Sequence, residues 1–192
     1  MKKFVLWTAT IILTSSALAH ASVKNFTVGD DQFTINVPNG WQTPKDFYGF
    51  PVSLIGPDNK EGHRTVIGIT PSGAADTDKV FDQGDKDIKS YMSGREAWLE
   101  KFEGKSISYD SYQKTKWTGI EEAHTLGYHY ELPTGKFYER SIFVLCNGRR
   151  LYHLKSITHS EYEKTDNKIV DETIKTLKCE KTVASATKPA TK

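Results

Sequence analysis

The sequence predicts an α+β fold: a predominantly antiparallel β-sheet sandwiched between α-helices. Three observations carry that prediction. Short runs of alternating apolar and polar residues recur along the chain, the period of two of half-buried strands. Residues 76–103 and about 160–177 change to a period of three to four, the stripe of an amphipathic helix. Asn147-Gly148 joins two strand-like runs that are apolar on both faces, whereas a sheet with one wet face alternates cleanly. Covering layers on both sides of the sheet follow.

The elements are justified in chain order. Residues 1–21 read as a secretory leader. Lys2-Lys3 is a basic start, Phe4–Leu13 an apolar run, and Ala19-His20-Ala21 places small residues where a signal peptidase cuts. The apolar run is too short to span a bilayer, which needs roughly 20 residues. The expected mature protein, cut after Ala21, is periplasmic or secreted, with no membrane span. Phe26–Val28 and Phe33–Val37 are strands turned by Gly29-Asp30-Asp31, and Pro38-Asn39-Gly40 ends the second. Val52–Ile55 and Thr65–Thr70 are two more, joined by the polar loop Gly56–His63.

In residues 76–103, Phe81, Ile88, Tyr91, Met92, Trp98, Leu99 and Phe102 form the helical stripe. Ser93-Gly94 is a candidate break and Gly104 a stop. Strands follow at Ile107–Trp117, Ala123–Leu132, Phe137–Cys146 and Arg149–Thr158. A two-residue turn at Asn147-Gly148 sets Cys146 against Arg149, Val144 against Leu151 and Ile142 against His153. The last helix, from about Ser160 to Leu177, carries Ser160 and Glu163 as a candidate capping box. Glu180–Lys192 is Lys, Thr, Ala and Ser with one proline, has nothing to bury, and reads as a disordered tail. Residues 22–179 then suit one globular domain.

Two cysteines remain outside the leader, Cys146 and Cys179. An even count in an oxidising compartment favours a disulfide over two separate buried thiols. The last helix must return antiparallel to the strand before it. It therefore ends at the same sheet edge as the strand that Cys146 closes. The pair is expected to bond and to hold the helix on the face bearing Cys146, Val144 and Leu151. A closed loop of about 33 residues is worth roughly 3–4 kcal/mol.

Charge and motifs exclude several functions. The full chain has 26 basic and 24 acidic residues, and losing Lys2 and Lys3 brings the balance to zero. No basic stripe marks a nucleic-acid surface. There is no Gly-x-Ser-x-Gly, no glycine-rich phosphate loop and no Cys-x-x-Cys. Asp82, Asp85 and Asp87 match a calcium loop only loosely. Glu121-Glu122 reads as a solvated loop. His124 and His129 lie five apart in a strand and face opposite ways unless Gly127 marks a bulge. His153 reads as a hydrogen-bonded core residue, and His63 and His159 as solvated loop residues. No metal or cofactor is assigned.

The remaining feature is aromatic. His124, Leu126, Tyr128, Tyr130 and Leu132 share one strand face, as core under a helix or as a cleft. Trp41 and the loop Asp46-Phe47-Tyr48-Gly49-Phe50 place further aromatics outside regular structure, as a recognition edge or as a lid over the sheet. Trp41, Phe47, Tyr48, Phe50, His124, Tyr128 and Tyr130 are the candidate partner or cleft surface.

Phe33-Thr34-Ile35-Asn36-Val37-Pro38-Asn39-Gly40-Trp41 resembles the opening of PsbP-like proteins: alternating apolar residues, then proline, a turn glycine and tryptophan. The closing order also resembles theirs, with a strand, a short turn, the apolar and tyrosine-bearing strand Arg150–Ile157, and a helix. The resemblance covers the element order across most of residues 25–178. It implies an antiparallel sheet between helices and an accessory or assembly factor that docks on a larger complex without catalysis. It transfers no functional residue. The combined expectation is an exported, non-catalytic binding factor with a protein partner in the cell envelope. A ligand-binding protein or enzyme using a cleft at His124, Tyr128 and Tyr130 is the alternative, and metal binding a weaker one.

Overall fold

The computed structural model describes residues 21–28, 31–71, 85–146 and 150–179. The strands are β1 (Ser22–Val28), β2 (Asp31–Val37), β3 (Lys45–Phe47), β4 (Phe50–Ile55), β5 (Val66–Pro71), β6 (Lys105–Tyr109), β7 (Gln113–Trp117), β8 (Ile120–Leu132), β9 (Gly135–Cys146), β10 (Arg150–His159) and β11 (Lys178–Cys179). The helices are α1 (Asp85–Lys101) and α2 (Glu163–Ile174). One sheet has the order β3-β4-β5-β10-β9-β8-β6, with β7 also on β8. A smaller sheet has the order β1-β2-β11. Every described pairing is antiparallel.

The large sheet is covered on both faces. On one, α2 and β2 close an apolar core in which Ile35, Leu54, Ile67, Val144, Leu154 and Val170 are fully buried. On the other, α1 packs Leu99 and Trp98 against Tyr128 and Tyr130. The disulfide joins Cys146 to Cys179 with Cα atoms 5.6 Å apart. It ties the strand that follows α2 to the edge where β9 ends.

The β9–β10 register differs from the expected one. Cys146 pairs with Arg150, Val144 with Tyr152 and Ile142 with Leu154. The connection is one residue longer than a two-residue turn, and Asn147-Gly148 itself lies outside the described residues. A slip of one reverses every side chain in a strand. The expected register would have set His153 and Lys155 among the core residues around Ile142. The observed one buries Tyr152 and Leu154 there. Leu151 pairs with Leu145 rather than Val144. The observed register keeps His153 and Lys155 out of that apolar core and on the opposite face, where Lys155 pairs with Glu139 and the His153 ring stacks on Phe143.

Other expectations are corrected too. Gly94 does not break α1, and open space surrounds its Cβ position. The start of the stripe at Phe81, the Asp82 position and the turn residues Gly29-Asp30 fall outside the described residues, as does Glu180–Lys192. At the end of α1 the Gly104 amide bonds Leu99 O and the Glu103 amide bonds Glu100 O. This is a Schellman closure whose left-handed residue is Glu103, φ 56°, not Gly104. The expected strand Ile107–Trp117 is two pieces, β6 and β7. Ser160 and Glu163 form no capping box: Tyr162 is the N-cap, without a side-chain bond, and Glu163 reaches His129 instead.

Candidate functional site

The aromatic face of β8 is core. Tyr128 is 0 % exposed, Tyr130 3 % and His124 4 %. Rings stack from Tyr109 to Tyr128 (5.4 Å), Tyr130 (5.0 Å) and Phe137 (5.5 Å). Phe137 meets His159 edge-on, and His159 stacks on His63 at 4.3 Å, 7° from parallel. The row crosses β6, β8, β9 and β10 and ends on the loop before β5. His63 and His159, expected in solvent, are half-buried at its end. Burial raises the hydroxyl pKa of Tyr128 and Tyr130 far above the usual range. The rings beneath α1 fill the space where a cleft was the alternative expectation. They cannot both pack as core and line an open site.

The same face carries polar groups under α1. Glu139 is 1 % exposed and lies between Arg95 Nη1 (3.5 Å) and Lys155 Nζ (3.3 Å). The Tyr91 hydroxyl donates to Ser141 Oγ at 2.8 Å, and burial holds its pKa up at about 12. His153 stacks on Phe143 at 4.5 Å. Its buried Nε2 has no hydrogen-bond partner, so it is not the hydrogen-bonded core residue expected. Burial, with help from Lys155 and Arg95, lowers its pKa to about 4.

Two other polar chains carry acid–base residue types. His124 Nδ1 shares a hydrogen bond with the Tyr112 hydroxyl (2.5 Å), and its Nε2 with Glu122 (2.6 Å), which Lys114 also holds. The pKa of Glu122 is lowered, first by its hydrogen bond from Lys114. Glu122 is thus a bonded partner rather than part of a solvated loop. On the opposite face His129 bonds Glu163 through Nε2 (2.8 Å) and approaches Ser108 Oγ through Nδ1 (3.3 Å). The residue types match a nucleophile relay. Acyl transfer also needs a pair of donors aimed at a developing oxyanion. Ser108 lies exposed on an edge strand, 3.3 Å from an imidazole that Glu163 already holds.

His124 and His129 point to opposite faces. Gly127 is not a bulge: it pairs regularly with Arg140. A Cβ there would lie 2.3 Å from Asp110 Oδ2 and 2.6 Å from the Tyr138 hydroxyl. That hydroxyl donates to Asp110 at 2.6 Å. Gly127 makes room for this bond where the edge strand divides into β6 and β7. Among the described residues no three His, Cys, Asp or Glu converge as a metal site.

Among the described residues two aromatics are strongly exposed, Phe102 after α1 and Tyr48 at the tip of the β3–β4 hairpin. The segment expected as a loop is a strand pair in which Phe47 faces Phe50 across Tyr48-Gly49. Phe50 lays its ring over Gly68, where a Cβ would come within 2.4 Å of it. Phe47 meets Tyr48 edge-on at 4.4 Å. Tyr48 is 86 % exposed and has φ 50°; Asp46 has φ 53°. Positive φ is uncommon for any residue but glycine and rarer still for a bulky one. Trp41 sits elsewhere, half-buried against the core and beside Gly56.

A cleft of about 590 Å³ opens between α2 and the turns after β2 and β4. Asp166, Ile169, Thr173 and Thr176, three or four residues apart, form the helix wall, and Trp41 lies across from them. The hydroxyl of buried Thr65 donates to Asp166. The Thr176 hydroxyl accepts the Asn36 amide at 2.8 Å and donates to Thr173 O at 2.6 Å. Asp58, on the rim, is held by two hydrogen bonds from Arg64 that lower its pKa. No pattern in the sequence pointed to this cleft, because its walls come from segments far apart in the chain.

No family model and no curated protein matches the chain. Solved structures do. The solution structure of cyanobacterial PsbP (CyanoP) from Synechocystis sp. PCC 6803 is similar with a TM-score of 0.56 at 14 % identity, over 88 % of this chain and 99 % of that one. LpqN of Mycobacterium tuberculosis, described as involved in cell envelope biogenesis, is similar with a TM-score of 0.53 at 13 % identity, over 84 % of this chain and 92 % of that one. At these identities the likeness is one of fold. The chain has the PsbP-like α+β fold that its opening and closing segments resemble.

Proposed function

We propose that this protein is exported and acts in the cell envelope as a non-catalytic binding or assembly factor, gripping a protein partner through the β3–β4 hairpin. One observation carries the reading: Tyr48 is 86 % exposed at φ 50°, at the tip of a hairpin where the Phe47 ring meets it edge-on. A glycine or asparagine would hold that turn at lower cost. A bulky aromatic kept there points to contact with something else, since tyrosine is enriched in interfaces.

The Lys2–Ala21 leader pattern and the Cys146–Cys179 disulfide support export, because disulfides persist in oxidising compartments. No described helix is long and apolar enough to cross a membrane. The envelope role named for LpqN is consistent with this reading. On it, residues 22–179 form one folding unit and residues 180–192 are a dispensable tail.

The test is a photo-cross-linking phenylalanine at position 48 in living cells, followed by mass spectrometry. One reproducible adduct is expected. Binding of that purified partner should weaken at least about tenfold in Tyr48→Asn, with the melting temperature unchanged or raised. No adduct in the envelope, or full binding by Tyr48→Asn, sinks the hairpin reading. An unprocessed chain recovered from the cytoplasm sinks export.

A further inference from the structure

The α2 cleft shows charge and shape that the hairpin reading leaves unused. Its walls mix an indole and Ile169 with carboxylates. Arg64 neutralises Asp58, but no described cation bonds Asp166 or Glu172. Asp166 is set in place by the hydroxyl of Thr65, itself 5 % exposed, so one carboxylate is oriented rather than floating. The cleft thus suits an apolar stem that ends in a cation, with Trp41 available for cation–π contact.

Its rim continues into an open strand edge. Asn36 lines the cleft and pairs with Val23 of β1, and Ser22–Asn25, the first half of β1, are all exposed. Within the small sheet β1 is an edge strand, bonded to β2 on one side only. Such an edge presents unpaired N–H and C=O groups to an added strand.

We propose that the cleft takes a lysine or arginine from an extended segment of a partner protein, and that the segment continues along β1 as an added strand. This rests on the reading of the protein as a binding factor and names the chemistry of the segment that it holds. Charge complementarity selects the basic residue. The contiguous strand edge selects an extended segment rather than a free amine.

The test uses ¹⁵N-labelled protein purified from the cell envelope and the peptide Ac-(Thr-Lys)₄-Thr-NH₂. Amide shifts are expected at Asn36–Trp41, Asp166–Thr176 and Ser22–Asn25, with affinity falling as salt rises. The peptide with acetylated lysines should bind at least about tenfold more weakly, as should the Asp166→Asn/Glu172→Gln variant. Glu172→Gln alone changes an exposed position, so it keeps the test valid if the double variant fails to fold. Tyr48→Asn should leave peptide binding unchanged, which separates failure here from failure of the hairpin reading. No shifts, or shifts indifferent to lysine acetylation, overturn the proposal. Shifts confined to the cleft and matched by n-butylammonium overturn it in favour of a small-amine site.

Discussion

The two faces of the large sheet are built from different materials. The α2 face is a continuous apolar cluster drawn from β2, β4, β5, β8, β9, β10 and α2, sealed by the disulfide. The α1 face is aromatic and polar. Leu99 is the only buried residue of α1, and beneath that helix Glu139 lies between Arg95 and Lys155. Apolar burial stabilises at about 25 cal/mol per Å², and the α2 face buries the larger apolar cluster. Most of the stability should therefore reside on the α2 face, with α1 the more readily released helix. A helix held this way opens at lower free energy than the global transition.

The largest expected effect tests the apolar face. Leu154→Ala removes a fully buried side chain and should cost about 3–5 kcal/mol in urea unfolding, with the denaturant slope unchanged. A loss under about 1 kcal/mol would mean that this face is not the stable one. Next comes the clasp. Cys146→Ser/Cys179→Ser should lose about 3–4 kcal/mol, and hydrogen exchange in α2 should accelerate more than in α1. Equal acceleration of both helices would break the comparison.

His153 tests the other face through pH. Its folded pKa, about 4, lies below the ordinary histidine value of 6.5. Between those values the unfolded chain binds a proton that the folded one refuses, so stability falls as pH drops from 6.5 and levels off below about 4. His153→Phe keeps a ring on Phe143 and should abolish that loss, for a relative gain of up to about 3 kcal/mol at pH 4. A gain of the same size at pH 8 would show that packing, not titration, is responsible. The smallest effect sharpens the weakness of α1. Gly94→Ala meets open space in the helix interior and should stabilise by about 0.5–1 kcal/mol. Slower exchange confined to α1 is the expected signature.

Particular residues show what could be read in advance. Phe33, Ile35 and Val37 alternate, and all three are buried. The helical stripe through Tyr91, Trp98 and Leu99 faces the sheet. The pairing of Cys146 with Cys179 followed from the cysteine count and the direction of α2. Phe47 and Phe50, by contrast, gave no strand signal, because three residues beside a turn are too few to show a period. Tyr48 stood in the candidate surface and is exposed, while Tyr128 and Tyr130 stood there too and are buried. Composition cannot separate those two fates, since tyrosine suits both settings.

The sequence by itself determined the order of the longer elements, the layered α+β class and the disulfide, because strand and helix periods and chain direction are local properties. Only the tertiary structure decided the β9–β10 register, the fate of each aromatic and the α2 cleft. Register is a competition between whole faces: the turn favours one pairing, and burial of Tyr152 and Leu154 in place of His153 and Lys155 favours the other. A cleft exists only once distant segments meet. Those outcomes rest on sums over residues far apart in the chain, which no window along it contains.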